Sequence, residues 1–320
     1  MQSVQRLLHE LGLPEGDRHD LPTSVLTFPD GAQYRVEIPS VEGPAAFRAI
    51  IEASQERGIL IHRISQGSGI MLLSDAEIGE MAQLGKQYGI EVCLFVGPRA
   101  PCEGTAQALT PDGKHFGWRH TGMDQLIYAY NDVERAVRLG LRSVLVADEG
   151  LLWLINQARQ RGLLPSNLVI KASALLGASN PLGIKLLVDH GLNTINVASD
   201  ISLARLAALR QVISIPIDLY IESPDGLGGF MRYHEIAEIV RVAAPIYLKF
   251  GLRNAPNIYP GGIHLEQSAI LTARERVRRA ALGLEMLARS AQDFAASQAG
   301  APGLGIPELP VTGEPPHQPI

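Results

Sequence analysis

Residues 168–222 read LVIKASALLGASNPLGIKLLVDHGLNTINVASDISLARLAALRQVISIPIDLYIE, and the order of patterns within them decides the fold. Short apolar runs rich in β-branched residues, at 168–173, 194–198 and 215–222, predict strands. Between them, apolar residues recur every three or four positions, which predicts helices. Strands that alternate with helices in this way pair in parallel with their neighbours. The stretch therefore predicts consecutive β/α units.

The same alternation extends over most of the chain and gives eight strand-like runs. The other five lie at 34–40, 60–65, 91–96, 143–148 and 245–251. Ser74, followed three residues later by Glu77, predicts a capping box that opens the second helix. Eight units close most naturally into a (β/α)8 barrel of the TIM type. An open doubly wound sheet is the main competitor, but no GxGxxG follows the first strand. The predicted fold class is therefore α/β, with a barrel at residues 34–298.

The two ends of the chain are predicted to differ from the barrel. Residues 1–33 form a leader, in which the Pro-Asp-Gly turn at 29–31 predicts a hairpin before the first strand. Residues 299–320 are rich in proline and glycine, which predicts a disordered C-terminal tail. A long insertion at 99–123 separates the third strand from its helix. We expect it either to close over the site or to decorate the rim.

The composition limits the classes of function. Of the 320 residues 46% are hydrophobic, and the net charge of −5 provides no basic excess for a nucleic-acid backbone. The two cysteines, Cys93 and Cys102, make a cysteine-held iron–sulfur cluster or zinc site improbable. No apolar run has membrane-spanning length, and the first residues lack a signal-peptide core. We expect a cytoplasmic protein whose partner is a small-molecule substrate, with no nucleic acid or membrane; self-association stays open.

Strand alternation predicts which polar side chains share the barrel interior. The inward-facing set is Arg35, Glu37, Arg63, Ser65, Lys171, Ser173, Asn196, Asp218, Tyr220, Glu222, Tyr247 and Lys249. Buried charges have to pair with one another or hold a charged ligand. We interpret the deeper Arg35 and Asp218 as parts of a salt-bridge network. Residues nearer the carboxyl ends of the strands, where barrel active sites lie, are predicted to be catalytic. They are Glu37, Lys171, Glu222 and Lys249.

Two glycine-containing loops are predicted to help bind the substrate. The loop at 66–69, Gln-Gly-Ser-Gly, allows a ligand to approach the backbone closely. The loop at 223–229 offers glycine N–H groups to an anion, although Asp225 within it would repel a phosphate unless it points away. The predicted substrate-binding residues are Arg63, Gln66, Ser68, Ser173, Asn196, Gly226, Gly228, Gly229 and Arg253.

Metal and covalent chemistry are left open by the sequence. Glu37, Asp148 and Glu222 are the candidate ligands for a divalent metal, because carboxylate oxygens suit such ions. No HExxH motif supports a metal site. Lys171 or Lys249 would form a Schiff base if desolvated, but a lysine in a barrel strand is as often an ion-pair partner.

The stretch from Ser143 to Glu222 resembles the peptidase U32 family of barrel proteins. The resemblance lies in SVLVADEGLLWLI, ASNPLGIKLLVDHG, TINVASDISLARL and IPIDLYIE, with Asp148, Asn180 and the turn at 199–203 matching by position. It implies a barrel fold and hydrolase activity. The chain departs from the family after the seventh strand. There the family carries His-Gly and a cysteine-containing segment, whereas this chain has Glu-Ser-Pro-Asp at 222–225.

These observations together favour a TIM-barrel enzyme that acts on a small, polar, anionic metabolite. The expected chemistry is acid/base catalysis, with or without a metal, of the lyase or isomerase type. A U32 peptidase-like hydrolase is one alternative. The other is a catalytically silent barrel that acts as a partner subunit or ligand-binding scaffold, because fold alone does not separate these classes.

Overall fold

The described part of the chain forms a closed barrel of eight parallel strands. A computed structural model describes residues 2–97, 110–113, 117–290 and 292–310. The strands are β1 (Tyr34–Pro39), β2 (Arg63–Gln66), β3 (Glu91–Phe95), β4 (Ser143–Val146), β5 (Val169–Ala172), β6 (Thr194–Asn196), β7 (Ile217–Glu222) and β8 (Ile246–Phe250). They follow one another around the barrel in chain order. The barrel closes where β1 pairs in parallel with β8. The predicted (β/α)8 fold is confirmed, and every predicted strand overlaps an observed one.

Helices connect the strands on the outside of the barrel. They are α1 (Gln2–Glu10), which precedes the barrel, α2 (Pro44–Arg57), α3 (Asp75–Tyr88), α4 (Gly122–Arg138), α5 (Glu149–Gln160), α6 (Pro181–Asp189), α7 (Leu203–Val212), α8 (Ile236–Ala243) and α9 (Glu266–Ala288). The predicted capping box of Ser74 and Glu77 is present at the start of α3. None of the helices in the described ranges has the length and apolarity needed to cross a membrane.

The main apolar core lies between the barrel and its helices. Ile38, Ile64 and Leu248 point outward from their strands, are completely buried and pack in one cluster with Phe47 and Ile50 of α2. Side chains alternate along a strand, so the residues between them face the interior of the barrel. Those positions carry most of the polar residues that the sequence singled out. The alternation therefore separates an apolar shell from a polar interior.

The N-terminal segment forms a turn but not the predicted hairpin. Gly31 N–H donates to the Phe28 carbonyl at 2.9 Å, and Phe28 N–H donates to the Ala32 carbonyl at 2.8 Å. No strand precedes this turn in the described residues 2–33. Phe28 is instead buried against Tyr247 at the amino-terminal end of the barrel, with 5.4 Å between the ring centroids. This aromatic contact, and not pairing with a strand, helps to attach the N-terminal segment to the barrel.

The C-terminal segment is packed as far as residue 310, which corrects the predicted disordered tail for residues 299–310. Gly300 N–H donates to the Gly89 carbonyl at 2.9 Å, and Glu308 N–H donates to the Gly140 carbonyl at 2.8 Å. Gly305 N–H donates to Glu91 Oε2 at 3.1 Å inside the barrel. The segment therefore covers the amino-terminal end of the barrel. Residues 311–320 lie outside the described residues.

Candidate functional site

A layer of paired charges fills the middle of the barrel. Its cations are Arg63, Lys171 and Lys249, and its carboxylates are Glu37, Glu91 and Asp218. Arg63 Nε lies 2.7 Å from Glu91 Oε1, and Arg63 Nη1 lies 2.7 Å from Asp218 Oδ1. Three positive charges thus face three negative charges. The layer (the charged layer below) is balanced within itself, which is the condition for burying such groups.

Glu37 lies at the centre of this layer. Its carboxylate is completely buried, contacts Lys171 Nζ, accepts a hydrogen bond from Ser65 Oγ at 2.7 Å and lies 3.1 Å from Lys249 Nζ. Burial opposes ionisation, but Lys171, Lys249 and Arg63 hold the pKa of Glu37 well below its ordinary value. Glu37 is therefore an anion that the neighbouring cations keep ionised.

A cavity of about 490 Å³ opens above the charged layer, at the carboxyl ends of the strands. This volume is typical of sites for small molecules. Its apolar walls include Phe95, Trp118, Leu145, Leu175, Leu227, Leu252 and Ile258. Its polar lining includes Ser65, Gln66, Ser173, Asn196, Tyr220, Lys249, Tyr259 and Arg276. Barrel enzymes use this end for catalysis, so the cavity is the candidate site.

Lys249 connects the charged layer to the cavity. Its Nζ donates to Asn196 Oδ1 at 2.8 Å, and Asn196 Nδ2 donates to the Ala172 carbonyl at 2.8 Å. The same Nζ lies 4.6 Å from the centre of the Tyr220 ring, a cation–π distance. Burial raises the pKa of the Tyr220 hydroxyl, so it stays protonated and able to donate. Lys249 is thus a fixed ammonium group at the floor of the cavity.

Three of the four predicted catalytic residues lie in or directly beneath the cavity. Lys249 lines the cavity, as predicted. Glu37 and Lys171 belong to the charged layer and are completely buried beneath the cavity. Arg63, predicted to bind substrate, has the same position and pairs with carboxylates. Glu37, Lys171 and Arg63 support the site from below and do not line it.

Glu222 does not share the barrel interior, and this prediction is wrong. The pairing of β7 with β8 shifts register between Tyr220 and Glu222, so the alternation ends one residue early. Glu222 Oε2 accepts a hydrogen bond from the Tyr233 hydroxyl at 2.6 Å, and Oε1 accepts one from Arg253 N–H at 3.0 Å. Arg279 of α9 lies 3.5 Å from the same carboxylate. Glu222 therefore holds the loop after β7 against α9.

The glycine loop at 66–69 binds a carboxylate of this chain. Gly67 and Ser68 N–H groups donate to Glu42 at 2.9 and 3.1 Å, and the Ser68 hydroxyl also contacts Glu42. The side-chain amide of Gln66 donates to the Gly69 carbonyl and accepts a hydrogen bond from Gly69 N–H, both at 3.1 Å. The loop was expected to approach a ligand. Gln66 and Gly67 do line the cavity, but the N–H groups of Gly67 and Ser68 face Glu42.

The second glycine loop also uses its donors internally. Gly228 N–H donates to the Asp225 carbonyl at 3.1 Å, and Gly229 N–H donates to the Pro224 carbonyl at 3.2 Å. Arg253 Nε lies 3.1 Å from the Asp225 carboxylate, so the expected anion-binding arginine already has a partner. Of the predicted glycines only Gly226 lines the cavity. The prediction that Gly228, Gly229 and Arg253 are free to bind an anion is therefore wrong, whereas the role of Gly226 stays a prediction.

Ser173 and Asn196 line the cavity as predicted. The three candidate metal ligands, in contrast, do not converge. Asp148 caps α5 by accepting a hydrogen bond from Leu151 N–H at 2.9 Å, whereas Glu37 lies in the charged layer and Glu222 against α9. In the described part of the chain no three His, Cys, Asp or Glu side chains are grouped so as to hold a metal ion.

Part of the long insertion at 99–123 belongs to the site. Trp118 lines the cavity and meets the Phe95 ring edge-on, with 6.4 Å between the centroids. Arg119 fixes this segment to the barrel by donating to the Ala147 and Leu176 carbonyls at 2.9 and 3.0 Å. Residues 98–109 and 114–116 lie outside the described residues, so closure of the insertion over the cavity stays a prediction.

Arg276 is a site residue that the sequence reasoning missed. It extends from α9 into the cavity wall and is 4% exposed. Its Nη1 is 3.4 Å from the Ser40 carbonyl and 3.3 Å from Thr272 Oγ1, while Nε has no hydrogen-bond partner. A signal existed in the sequence, because Arg276 falls between the apolar positions Ala273 and Val277 on the buried face of α9.

Comparison with known proteins supports the barrel and nothing finer. No family model matches the chain, and no curated protein matches it. Among solved structures, a candidate fructose-1,6-biphosphate aldolase from Coccidioides immitis is 14% identical, with a TM-score of 0.51 over 81% of this chain and 91% of that one. A U32 peptidase is also 14% identical, with a TM-score of 0.39 over 62% and 73%. At this identity the first likeness shows a shared fold, and the second is too distant to carry an argument.

The residues that suggested the U32 resemblance have structural roles here. Asp148 caps α5, and Asn180 caps α6 by accepting a hydrogen bond from Gly183 N–H at 2.9 Å. Within the turn at 199–203, Ser202 caps α7. Asn, Asp and Ser are preferred at the N-cap position of helices in general. The matching residues therefore support the fold and leave the activity open.

Proposed function

We propose that this chain is an enzyme that acts on a small anionic metabolite by lyase or isomerase chemistry, with Lys249 as its central catalytic residue. The observation that carries the proposal is the position of Lys249 Nζ, at the floor of a cavity and within 3.1 Å of the Glu37 carboxylate. A small molecule is preferred to a nucleic acid because the net charge is −5. We further propose that the protein acts in the cytoplasm.

Lys249 would stabilise the negative charge that develops on a substrate oxygen. Lyases and isomerases of oxo and hydroxy acids pass through enolate-like states, and a fixed ammonium group in a water-poor site lowers the energy of such states. Asn196 Oδ1 accepts one hydrogen bond from Lys249 Nζ and so orients the ammonium group. Glu37 is a positioning residue that supplies the opposite charge from below. Tyr220 lies beside the ammonium group and offers a second donor.

The test is exchange of the proton on the carbon next to a carbonyl group. Wild-type protein is incubated in D₂O with oxo acids and phosphorylated sugars, and loss of the proton signal is followed by NMR. We expect exchange with at least one compound, and we expect Lys249→Met to slow it about 100-fold or more, the usual loss when one charge-stabilising donor is removed.

Lys185→Met is the matched control for this substitution. Lys185 is exposed on α6 and pairs with Asp189 on the same helix, so its loss should leave the exchange rate unchanged. An unfolding curve for Lys249→Met separates lost chemistry from lost structure. Exchange that is equally fast in folded Lys249→Met, or no exchange with any compound, would remove the proposed role and favour a ligand-binding scaffold.

A further inference from the structure

We propose that Arg276 forms a carboxylate-binding subsite in the cavity, and that the ligand is a carboxylic acid with an apolar body. The ligand class is an oxo or hydroxy acid that carries an aromatic or branched aliphatic group. This inference deepens the proposed function and rests on it, because the same cavity would hold the substrate. The subsite itself is a property of binding and is testable without turnover.

The guanidinium of Arg276 is a buried cation that forms no close ion pair in the described residues, and the Glu42 carboxylate acts on it only from a greater distance. No carboxylate in the described residues lies within ion-pair distance of it, and its Nε makes no hydrogen bond. Its two contacts, to a carbonyl and a hydroxyl oxygen, are long at 3.4 and 3.3 Å. Burial lowers the pKa of Arg276, and the neighbouring Tyr259, Glu42 and Tyr220 oppose this shift only in part. The charged layer below is balanced within itself and contributes no ion-pair partner, so Arg276 is able to pair closely with the carboxylate of a ligand.

Ser40 shapes the backbone beside Arg276. It follows β1 directly and has a φ of +62°, a conformation that is strained for a residue other than glycine. Its carbonyl faces Arg276, and its hydroxyl contacts the Tyr259 hydroxyl. Tyr259 also lines the cavity, and burial raises its pKa, so it stays protonated. Ser40 and Tyr259, which contact each other, therefore form the wall of the cavity beside Arg276.

A single negative charge fits this subsite better than a phosphate dianion. Phosphate sites in barrels combine a cation with several backbone N–H donors. Here the N–H groups of Gly67 and Ser68 donate to Glu42 and are not available to a phosphate. Those of Gly228 and Gly229 donate to carbonyls of their own loop. A planar guanidinium matches a carboxylate through two parallel hydrogen bonds. The Nε of Arg276 is shielded from solvent, so a ligand carboxylate would be met by the Nη groups, of which only Nη1 makes the two long contacts described above.

The walls of the cavity indicate the body of the ligand. Phe95, Trp118, Leu145, Leu175, Leu227 and Leu252 present apolar surface to it. Such walls favour an aromatic or branched aliphatic group over a sugar, because a sugar hydroxyl there would lose its hydrogen bonds to water. The ammonium group of Lys249 remains for a carbonyl or hydroxyl oxygen. The ligand would thus contact Arg276 and Lys249 through different groups.

Calorimetric titration with three probes tests the subsite. The probes are phenylpyruvate, its neutral amide, and phenyl phosphate. We expect phenylpyruvate to bind wild-type protein, and the amide and phenyl phosphate to bind at least tenfold more weakly. Arg276→Met should weaken phenylpyruvate binding at least tenfold. Without ligand, this variant should unfold at a higher temperature than wild type, because a buried charge that has no close ion pair and only two long hydrogen bonds is gone.

Arg278→Met is the matched control on the same helix. Arg278 is half exposed and pairs with Glu275 at 3.0 Å, so its loss should change neither binding nor unfolding temperature appreciably. The subsite is overturned by unchanged affinity in Arg276→Met, by equal binding of the amide, by tighter binding of phenyl phosphate, or by no binding of millimolar phenylpyruvate to wild type.

Subsite and activity are tested separately in this design. Binding that depends on Arg276, together with no proton exchange for any compound, keeps the subsite and removes the proposed enzymatic role. Exchange that continues in Arg276→Met with unchanged KM keeps the enzymatic role and removes the subsite. Lys249→Met should retain phenylpyruvate binding within tenfold while losing exchange, since it does not contact the carboxylate in the proposed arrangement.

Discussion

Glu37→Gln is expected to lower the free energy of unfolding by about 3–5 kcal/mol, the range measured when one partner of a buried ion pair is removed. Three cations of the charged layer would then face two carboxylates. Urea unfolding at neutral pH measures the loss. Glu52→Gln is the matched control, because Glu52 is 56% exposed and pairs with Arg274 at the surface, where a pair contributes no more than about 1 kcal/mol.

A double substitution tests the reason for this loss. Removing Lys171 together with Glu37, as Glu37→Gln with Lys171→Met, leaves two cations facing two carboxylates. The double variant should therefore be more stable than the sum of the single effects predicts. If the two losses simply add, the layer is not held by charge balance. In that case the burial of these residues needs another explanation.

The loss of stability in the single variant Glu37→Gln should depend on pH. The folded-state pKa of Glu37 is well below its ordinary value near 4.5. A carboxyl group with a lowered pKa stabilises the fold above its unfolded-state pKa and loses that contribution as the pH falls through the folded value. The stability difference between wild type and Glu37→Gln should thus be constant above about pH 5.5 and shrink below about pH 4. A difference that grew on acidification would contradict the assignment.

Deletion of residues 299–320 is expected to destabilise the fold by about 4 kcal/mol or more. Arg35 Nη2 would lose its contact to the Pro302 carbonyl at 2.7 Å, and Glu91 would lose the donor from Gly305. Each lost hydrogen bond contributes about 1 kcal/mol, and more where a charged group takes part, and the packing of Leu304 on Phe28 and Tyr247 is lost as well. Thermal and urea unfolding measure the effect against a domain stability of about 5–15 kcal/mol.

Two further variants sharpen this deletion experiment. Deletion of residues 311–320 alone leaves every described contact in place, and we expect wild-type stability. Gly305→Ala tests one close approach within the segment, since a Cβ there would lie 2.5 Å from the Arg142 carbonyl oxygen. It should be destabilising on its own. Equal stability of wild type and the longer deletion would show that the segment contributes nothing to the fold.

The fold was largely readable from the sequence because its signals are repeated. Alternating β-branched runs and helical patterns occur eight times, and one uncertain boundary changes little in such a series. The same parity placed Glu37, Arg63, Lys171 and Lys249 in one interior. It did not separate those beneath the cavity from those lining it. That distinction depends on how deeply each strand enters the barrel, which periodicity alone does not report.

Several sequence-based predictions fail, and three of them have identifiable physical reasons. Glu222 left the interior because of a local register shift, and a bulge interrupts the alternation on which the prediction was based. Strand alternation does not point to Arg276, because this residue reaches the cavity from a helix. The composition of residues 299–310 predicts disorder, because a segment so rich in proline and glycine does not form a core of its own. A few hydrogen bonds to an existing barrel are enough to hold such a segment.

The position of residues 292–310 has a consequence for how the protein is made. The ribosome synthesises this segment after all eight strands, yet its backbone satisfies groups deep in the barrel, such as Glu91. A nascent chain that has reached the last strand can pair its strands but leaves this end open to water. Maturation should therefore finish only once the segment has emerged from the exit tunnel, and chaperones that bind exposed apolar surface would have that interval in which to act.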